Sequence, residues 1–275
     1  MRLLRRTLAS LAFAVPVLAA AVPAAADTDI TWGTSAVGSS GHKALVNLAN
    51  VLNKEFKGYQ VTVQAMPGAI VSVKSYASGK TLGYYGADIA FYELANGTNR
   101  FKGFKEQMKR QPVQSFWTFT VEVGVAINAR DKDTIKSWGD LTGKQFFSGP
   151  LPWDTRAHLE RGLAAVGAKH NYIEVDLATA GSLMESKRLD GFIIYTNAEA
   201  TTAPWITEAG LTTNWLALNP SKDEEAALNK AGIALTEVKA EAFKRDIGMP
   251  SVKLLPFYYG FHVGMEIPEA DVYRM

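Results

Sequence analysis

Short β-rich runs alternate with amphipathic helical runs from Asp29 onward, and that alternation confines the chain to an α/β fold with mainly parallel strands. Residues 29–33, 59–66 and 87–92 read as strands, the last one buried. Between the first two, Leu45, Leu48, Ala49 and Leu52 fall on one face at helical spacing. Pro67 and Gly68 then turn the chain into a helix reaching residue 78. Residues 115–128 break the rhythm: Trp117, Phe119, Val121, Val123, Val125 and Ile127 alternate over more positions than an ordinary strand holds. This run is expected to leave a first lobe and cross to a second.

The βα rhythm restarts beyond it, with strands at 145–149, 172–176, 191–195 and 214–218, and helices at 154–166, 178–188, from 199 and from 222. Residues 253–263 are β-rich again and are placed to carry the chain back. The expected division is residues 27–120 plus 255–275 for one lobe and 121–254 for the other. Asp88 to Tyr92 and Asp190 to Tyr195 echo each other as Asp-led apolar strands ending in tyrosine. Any α/β protein repeats βα units, so the echo has that plainer reading too.

The N-terminus reads as a secretory signal peptide over residues 1–26. Arg2, Arg5 and Arg6 form a positive start, residues 7–22 an apolar stretch, and Ala24, Ala25 and Ala26 a small-residue exit. A membrane anchor is the alternative, but the alanine richness, Pro16 and that exit favour cleavage. Arg5-Arg6 also fits twin-arginine export, although the pair alone carries little. No second apolar run approaches a membrane span, so no membrane insertion of the mature chain is expected. Those three arginines are among the 29 basic residues, and residues 1–26 hold none of the 27 acids; the remainder therefore has 26 basic against 27 acidic, a net of −1. Such a balance argues against nucleic acid as a partner. There is no cysteine, which excludes disulfides, thiolate metal sites, cysteine nucleophiles and a lipid anchor on a leader cysteine. Export without an anchor or disulfides places the chain in a periplasm.

Two strand-to-helix junctions concentrate the residues suited to binding. The loop from Gly33 to Gly41 holds Thr34, Ser35, Gly38, Ser39 and Ser40 ahead of a helix. In open α/β sheets ligands sit beyond the carboxyl ends of strands, and hydroxyls with free N–H groups at a helix start suit a carboxylate or phosphate. The plainer reading is a turn in which Ser39 or Ser40 caps the helix. It is not a nucleotide P-loop, because Ser39 stands where the lysine belongs. Trp153, Asp154, Thr155 and Arg156 form the matching junction in the second half, where a tryptophan beside a guanidinium fits an anion with an apolar stem. A cap, a core tryptophan and a surface arginine are the alternative. Gly68 and Ala69 open another helix, while Tyr92, Tyr195 and Thr196 stand at strand ends as core edge or cleft lining.

Nothing points to catalysis. His42, His158, His170 and His262 show no metal-binding spacing, and there is no Gly-x-Ser-x-Gly elbow. No metal and no cofactor are expected.

The motifs, in their order, resemble the TAXI family of solute receptors for TRAP transporters. The similarity rests on Trp32-Gly33-Thr34-Ser35 with Gly38 and Gly41 before the helix, on Val61 to Gln64 running to Gly68, and on Ala77-Ser78-Gly79. Gly86-Ala87-Asp88-Ile89-Ala90 and Trp138 to Lys144 continue it. The Asp-Leu-x-Gly-Lys element at 140–144 is shared by many two-lobed receptors, so the Gly/Ser loop is the more specific signal. The resemblance implies a two-lobed, type II periplasmic-binding-protein-like α/β fold with two crossing strands. It implies capture of a small anionic metabolite, an organic acid or amino acid of glutamate-like or 2-oxoglutarate-like type, for an integral-membrane TRAP permease driven by an ion gradient. By family position, the ligand would touch Thr34, Ser35, Gly38, Ser39, Gly68, Ala69, Tyr92, Asp154, Thr155, Arg156, Tyr195 and Thr196.

Departures fall where specificity is set. Ala69 stands for the family's usual serine, Ser72 for an asparagine, and Pro152-Trp153-Asp154-Thr155 for Gly-Ser-Gly-Thr. Asp154 is expected either to repel a second carboxylate or to accept an amino group. A helix is expected from Pro268, and the family continues beyond the point corresponding to Met275, so the C-terminal helices are expected to be truncated here. The other readings are a receptor for an ATP-driven importer or a sensor of the same fold, a secreted enzyme on a two-lobed scaffold, and an adhesion protein without a small ligand.

Overall fold

A computed structural model describes residues 27–37 and 39–275. The expected signal peptide, residues 1–26, lies outside the described residues, as does Gly38. In chain order the first half carries β1 (Thr28–Gly33), α1 (Ser40–Glu55), β2 (Tyr59–Gln64), α2 (Ala69–Ala77), β3 (Gly83–Ala87) and α3 (Asp88–Asn96). β1 pairs in parallel with β2 from Thr28↔Tyr59 to Gly33↔Gln64, and with β3 at Trp32↔Gly83. Leu45, Ala49 and Leu52 of α1 are buried, so the apolar stripe read from the sequence is the face that packs inward, with Leu48 half-buried at its edge.

Residues 87–92 are not the strand expected. The strand is Gly83–Ala87, buried at every position, and Asp88 starts α3. A short apolar run does not distinguish strand from buried helix by periodicity; here Ile89, Ala90, Glu93 and Leu94 are buried at helical spacing. The Asp-led echo between the two halves therefore fails in its first copy.

β4 (Phe116–Asn128) is the long strand expected. After it come β5 (Gln145–Phe147), α4 (Asp154–Ala165), β6 (Asn171–Tyr172), α5 (Ala180–Glu185), β7 (Gly191–Asn197), β8 (Thr201–Thr202), α6 (Pro204–Thr212), β9 (Trp215–Leu218), α7 (Lys222–Lys230), β10 (Thr236–Lys239), β11 (Ser251–Val263) and α8 (Glu269–Arg274). The helix expected from residue 199 begins instead at Pro204. Ala198 and Glu199 both adopt positive φ (51° and 55°) and fold β7 back on β8, with Thr196↔Thr202 and Asn197↔Thr201 paired. That turn is anchored on the buried Glu122 carboxylate, which accepts from the Glu199 backbone N–H at 2.9 Å and the Thr196 hydroxyl at 2.5 Å.

β4 and β11 hold the architecture together. They pair antiparallel from Leu255↔Val123 to Phe261↔Phe116. On its other edge β11 joins β3, and β10 near its start, while β4 joins β7 and β9. The sheet runs β2-β1-β3-β11-β4-β7-β5-β6, so the two 13-residue strands carry it from the first lobe into the second. None of the helices among the described residues is long and apolar enough to cross a membrane.

Candidate functional site

Four helices begin at one cavity, α6 among them with Ala203, Pro204 and Trp205, and three of them start with free N–H groups. α1 begins after Ser39, α2 after Gly68 and α4 after Trp153, and all three starts line a space of about 460 Å³. A helix start presents unpaired N–H groups and a partial positive charge. In α1 and α2 no acidic residue sits in the first turn to consume that charge. The loops entering α2 and α4 meet across the cavity: a Cβ at Gly68 would stand 3.5 Å from the Pro152 carbonyl oxygen.

α4 does carry an acid in its first turn, Asp154, but this side chain is already engaged. It is 1% exposed; its Oδ1 accepts from Arg100 Nη1 at 2.6 Å and its Oδ2 from the Tyr259 hydroxyl at 3.1 Å. Arg100 also holds Glu93 of α3 through Nε at 2.6 Å. Burial opposes the charge on Arg100, yet the Asp154 and Glu93 carboxylates outweigh it and hold its pKa above the usual value. Arg100 lies beyond α3 and Asp154 opens α4, so this ion triad ties two distant parts of the chain together at the cavity. Each Asp154 oxygen thus already accepts one hydrogen bond, and its charge is met by Arg100.

Tyrosines form much of the wall. Tyr85 and Tyr259 stack at 4.6 Å between centroids with their planes 9° apart. Burial, then the nearby Asp154 carboxylate, pushes the pKa of both well above the usual value. Burial likewise raises Tyr195 to about 12, with Trp205 Nε1 donating to its oxygen at 3.2 Å. All three hydroxyls therefore keep their protons at neutral pH, and that of Tyr259 donates to Asp154.

Of the residues singled out from the sequence, Ser35, Ser39, Gly68, Ala69, Asp154, Thr155 and Tyr195 line this cavity. Ser39 is also a cap: its Oγ accepts from the His42 N–H at 3.2 Å and lies 2.6 Å from Ser35 Oγ. Both readings of that loop hold together. Thr155 is 6% exposed, and its hydroxyl has no partner in the protein.

Four other residues are corrected. Thr34 is fully buried beside the loop rather than on the wall. Tyr92 is 52% exposed, because its segment is helical and turns Glu93 inward instead; Arg161 covers its ring at 5.0 Å. Arg156 lies one residue beyond Thr155 and faces away, its guanidinium 4.3 Å from the Tyr172 ring centroid and 3.5 Å from Glu160. Thr196 is spent on Glu122, and Asn197 takes the place on the wall.

Tyr85, Tyr259, Trp205 and Arg100 escaped the sequence reading. Tyr85 had a local signal, a Tyr-Tyr pair between Gly83 and Gly86, and Tyr259 lies in the returning strand already recognised. Arg100 had none, since the Asp154 it neutralises is 54 residues away.

Burial lowers the pKa of His158 to about 3 and of His262 to about 4, so both are neutral core groups at neutral pH. Among the described residues no three of His, Cys, Asp and Glu gather as a metal site.

No protein-family model and no curated protein matches the chain. Solved structures do. XAC2383 from Xanthomonas citri bound to chloride ion aligns with TM-score 0.50 at 8% identity, over 90% of this chain and 81% of that one. The periplasmic aliphatic sulphonate binding protein SsuA from Escherichia coli aligns with TM-score 0.48 at 15% identity, over 75% and 68%. A putative L-cystine ABC transporter from Listeria monocytogenes gives 0.46 and 13%, over 90% and 88%. Likeness at such identities concerns the fold, not the ligand. With the sheet order and the crossing strands, the chain has a two-lobed, periplasmic-binding-protein-like α/β fold.

Proposed function

We propose that the protein is an exported solute receptor of the TAXI type, capturing a small carboxylate in a periplasm and delivering it to a gradient-driven TRAP permease. The observation that carries this reading is the meeting of the α1, α2 and α4 N-termini on one cavity, whose Thr155 hydroxyl has no partner among the described residues. The lobes divide as residues 27–120 with 255–275 and residues 121–254, and β4 and β11 act as the hinge. Ser35, Ser39, Gly68, Ala69, Thr155 and Tyr195 touch the ligand, joined by Tyr85. Glutamate-like and 2-oxoglutarate-like acids are the ligands the family resemblance implies.

The mechanism is capture by closure. An anion that meets α1 and α2 in one lobe and α4 in the other binds the closed arrangement better than the open one, and that difference drives the closure. In this reading the cavity binds rather than reacts: burial keeps His158 and His262 neutral, and neither lines the cavity.

A thermal-shift screen of the mature protein against organic acids and amino acids tests the reading. A ligand at 100 times its Kd adds about 2.7 kcal/mol by mass action, which raises Tm by about 5–10 °C in a chain of this size. A panel in which no acid shifts Tm contradicts it.

A further inference from the structure

Resting on that receptor reading, we infer that the cavity takes a carboxylate of single charge with an uncharged, apolar body, such as an aromatic 2-oxo acid, in preference to a dicarboxylate or an amino acid. Among the described residues no lysine, arginine or histidine lines the cavity, and besides tyrosines its ionisable groups are Asp154 and Glu208. The one guanidinium behind the wall, Arg100, is divided between Glu93 and Asp154. One carboxylate has a built place, at the three helix starts beside the unpartnered, buried Thr155 hydroxyl. A second carboxylate would be taken out of water with no cation to meet it, and an unpaired buried charge is strongly disfavoured.

An ammonium group fares no better. Both Asp154 oxygens are already accepting, from Arg100 and from Tyr259. Glu208 stands exposed on α6, where water screens it. Apart from the uncharged Asn197 amide, the rest of the wall is mainly apolar or aromatic, with Val121, Trp153, Leu177, Ala203 and Trp205. Trp205 spends its N–H on Tyr195, so it offers the ligand a ring face rather than a donor. Such a surface matches a phenyl or branched aliphatic group, and the volume of about 460 Å³ accommodates one attached to a short acid.

Calorimetric titration of the mature protein with phenylpyruvate, 2-oxoglutarate, L-phenylalanine and L-glutamate tests this. Phenylpyruvate and 2-oxoglutarate share the 2-oxo acid head and differ in the second charge; phenylpyruvate and phenylalanine differ in the ammonium. The expected result is a Kd for phenylpyruvate at least about tenfold below each of the others, with Thr155→Val weakening it by about three- to tenfold through loss of one hydrogen bond. Binding of 2-oxoglutarate or either amino acid as tight as that of phenylpyruvate overturns the inference and leaves the receptor reading standing. An unchanged Kd in Thr155→Val overturns the placement of the head. Should none of the four bind, and no other acid either, the receptor reading fails and the inference with it.

Discussion

Replacing Arg100 by methionine is expected to cost about 3–5 kcal/mol of folding stability, the scale of a buried ion pair broken from one side. Glu93 and Asp154 are 2% and 1% exposed, and Arg100 is the cation bonded to both of them. Without it two carboxylates are left buried a few ångströms apart, and the Tyr259 hydroxyl cannot neutralise either. The cavity suffers as well, because Asp154 heads α4: an uncompensated negative charge there cancels the helix start that is meant to receive an anion. Carboxylate binding should therefore be lost at concentrations that saturate the parent. Chemical denaturation reads the first effect and calorimetry the second. Restoring neutrality with Glu93→Gln and Asp154→Asn in the same chain should recover most of the stability, since removing every charged member is far milder than removing one. A stability within about 1 kcal/mol of the parent for Arg100→Met alone, the range of a surface ion pair, would show that the triad does not tie those parts of the chain together.

The second large effect is expected from a single methyl group. A Cβ on Gly41 would come within 2.5 Å of the Tyr85 ring, far inside van der Waals contact. Tyr85 has no room to retreat, being buried and stacked on Tyr259. In Gly41→Ala the start of α1 must therefore move away from the wall and carry Ser39 and its neighbours out of line with α2 and α4. Overpacking of this kind costs about 1–3 kcal/mol. Drawn from the bound arrangement, that is about 5–150-fold in Kd. Ser40→Ala, one residue earlier and exposed, adds no bulk against Tyr85 and serves as the control. Equal affinities for Gly41→Ala and the parent would mean that α1 is not part of the site.

The parts of this molecule that the sequence discloses are those with local causes. β4 declares itself by alternating apolar residues over an unusual length, and the β-rich residues 253–263 fall within β11, its antiparallel partner. The starts of α1, α2 and α4 follow from Gly, Ser and Pro punctuation, and these hold most of the cavity's polar wall. Where neighbours in space decide, sequence reasoning fails in specific ways. Asp88 to Tyr92 reads equally as strand or helix, and only the pairing of Gly83–Ala87 with β11 forces the second choice. Arg156 is a natural anion ligand by type and position, yet Tyr172 and Glu160 draw it off the wall. The arginine that matters to the site, Arg100, is not marked as such by its near partner Glu93, because the Asp154 it neutralises comes 54 residues later in the chain.

Hydrogen exchange of backbone amides, with and without a saturating carboxylate, bears most directly on the meeting of helix starts from both lobes at one anion. Slower exchange is predicted together at residues 40–41, 69–70 and 154–156, the amides that precede the first intrahelical bonds of α1, α2 and α4. Protection limited to one lobe, or appearing only at sites remote from these three helix starts, would contradict it.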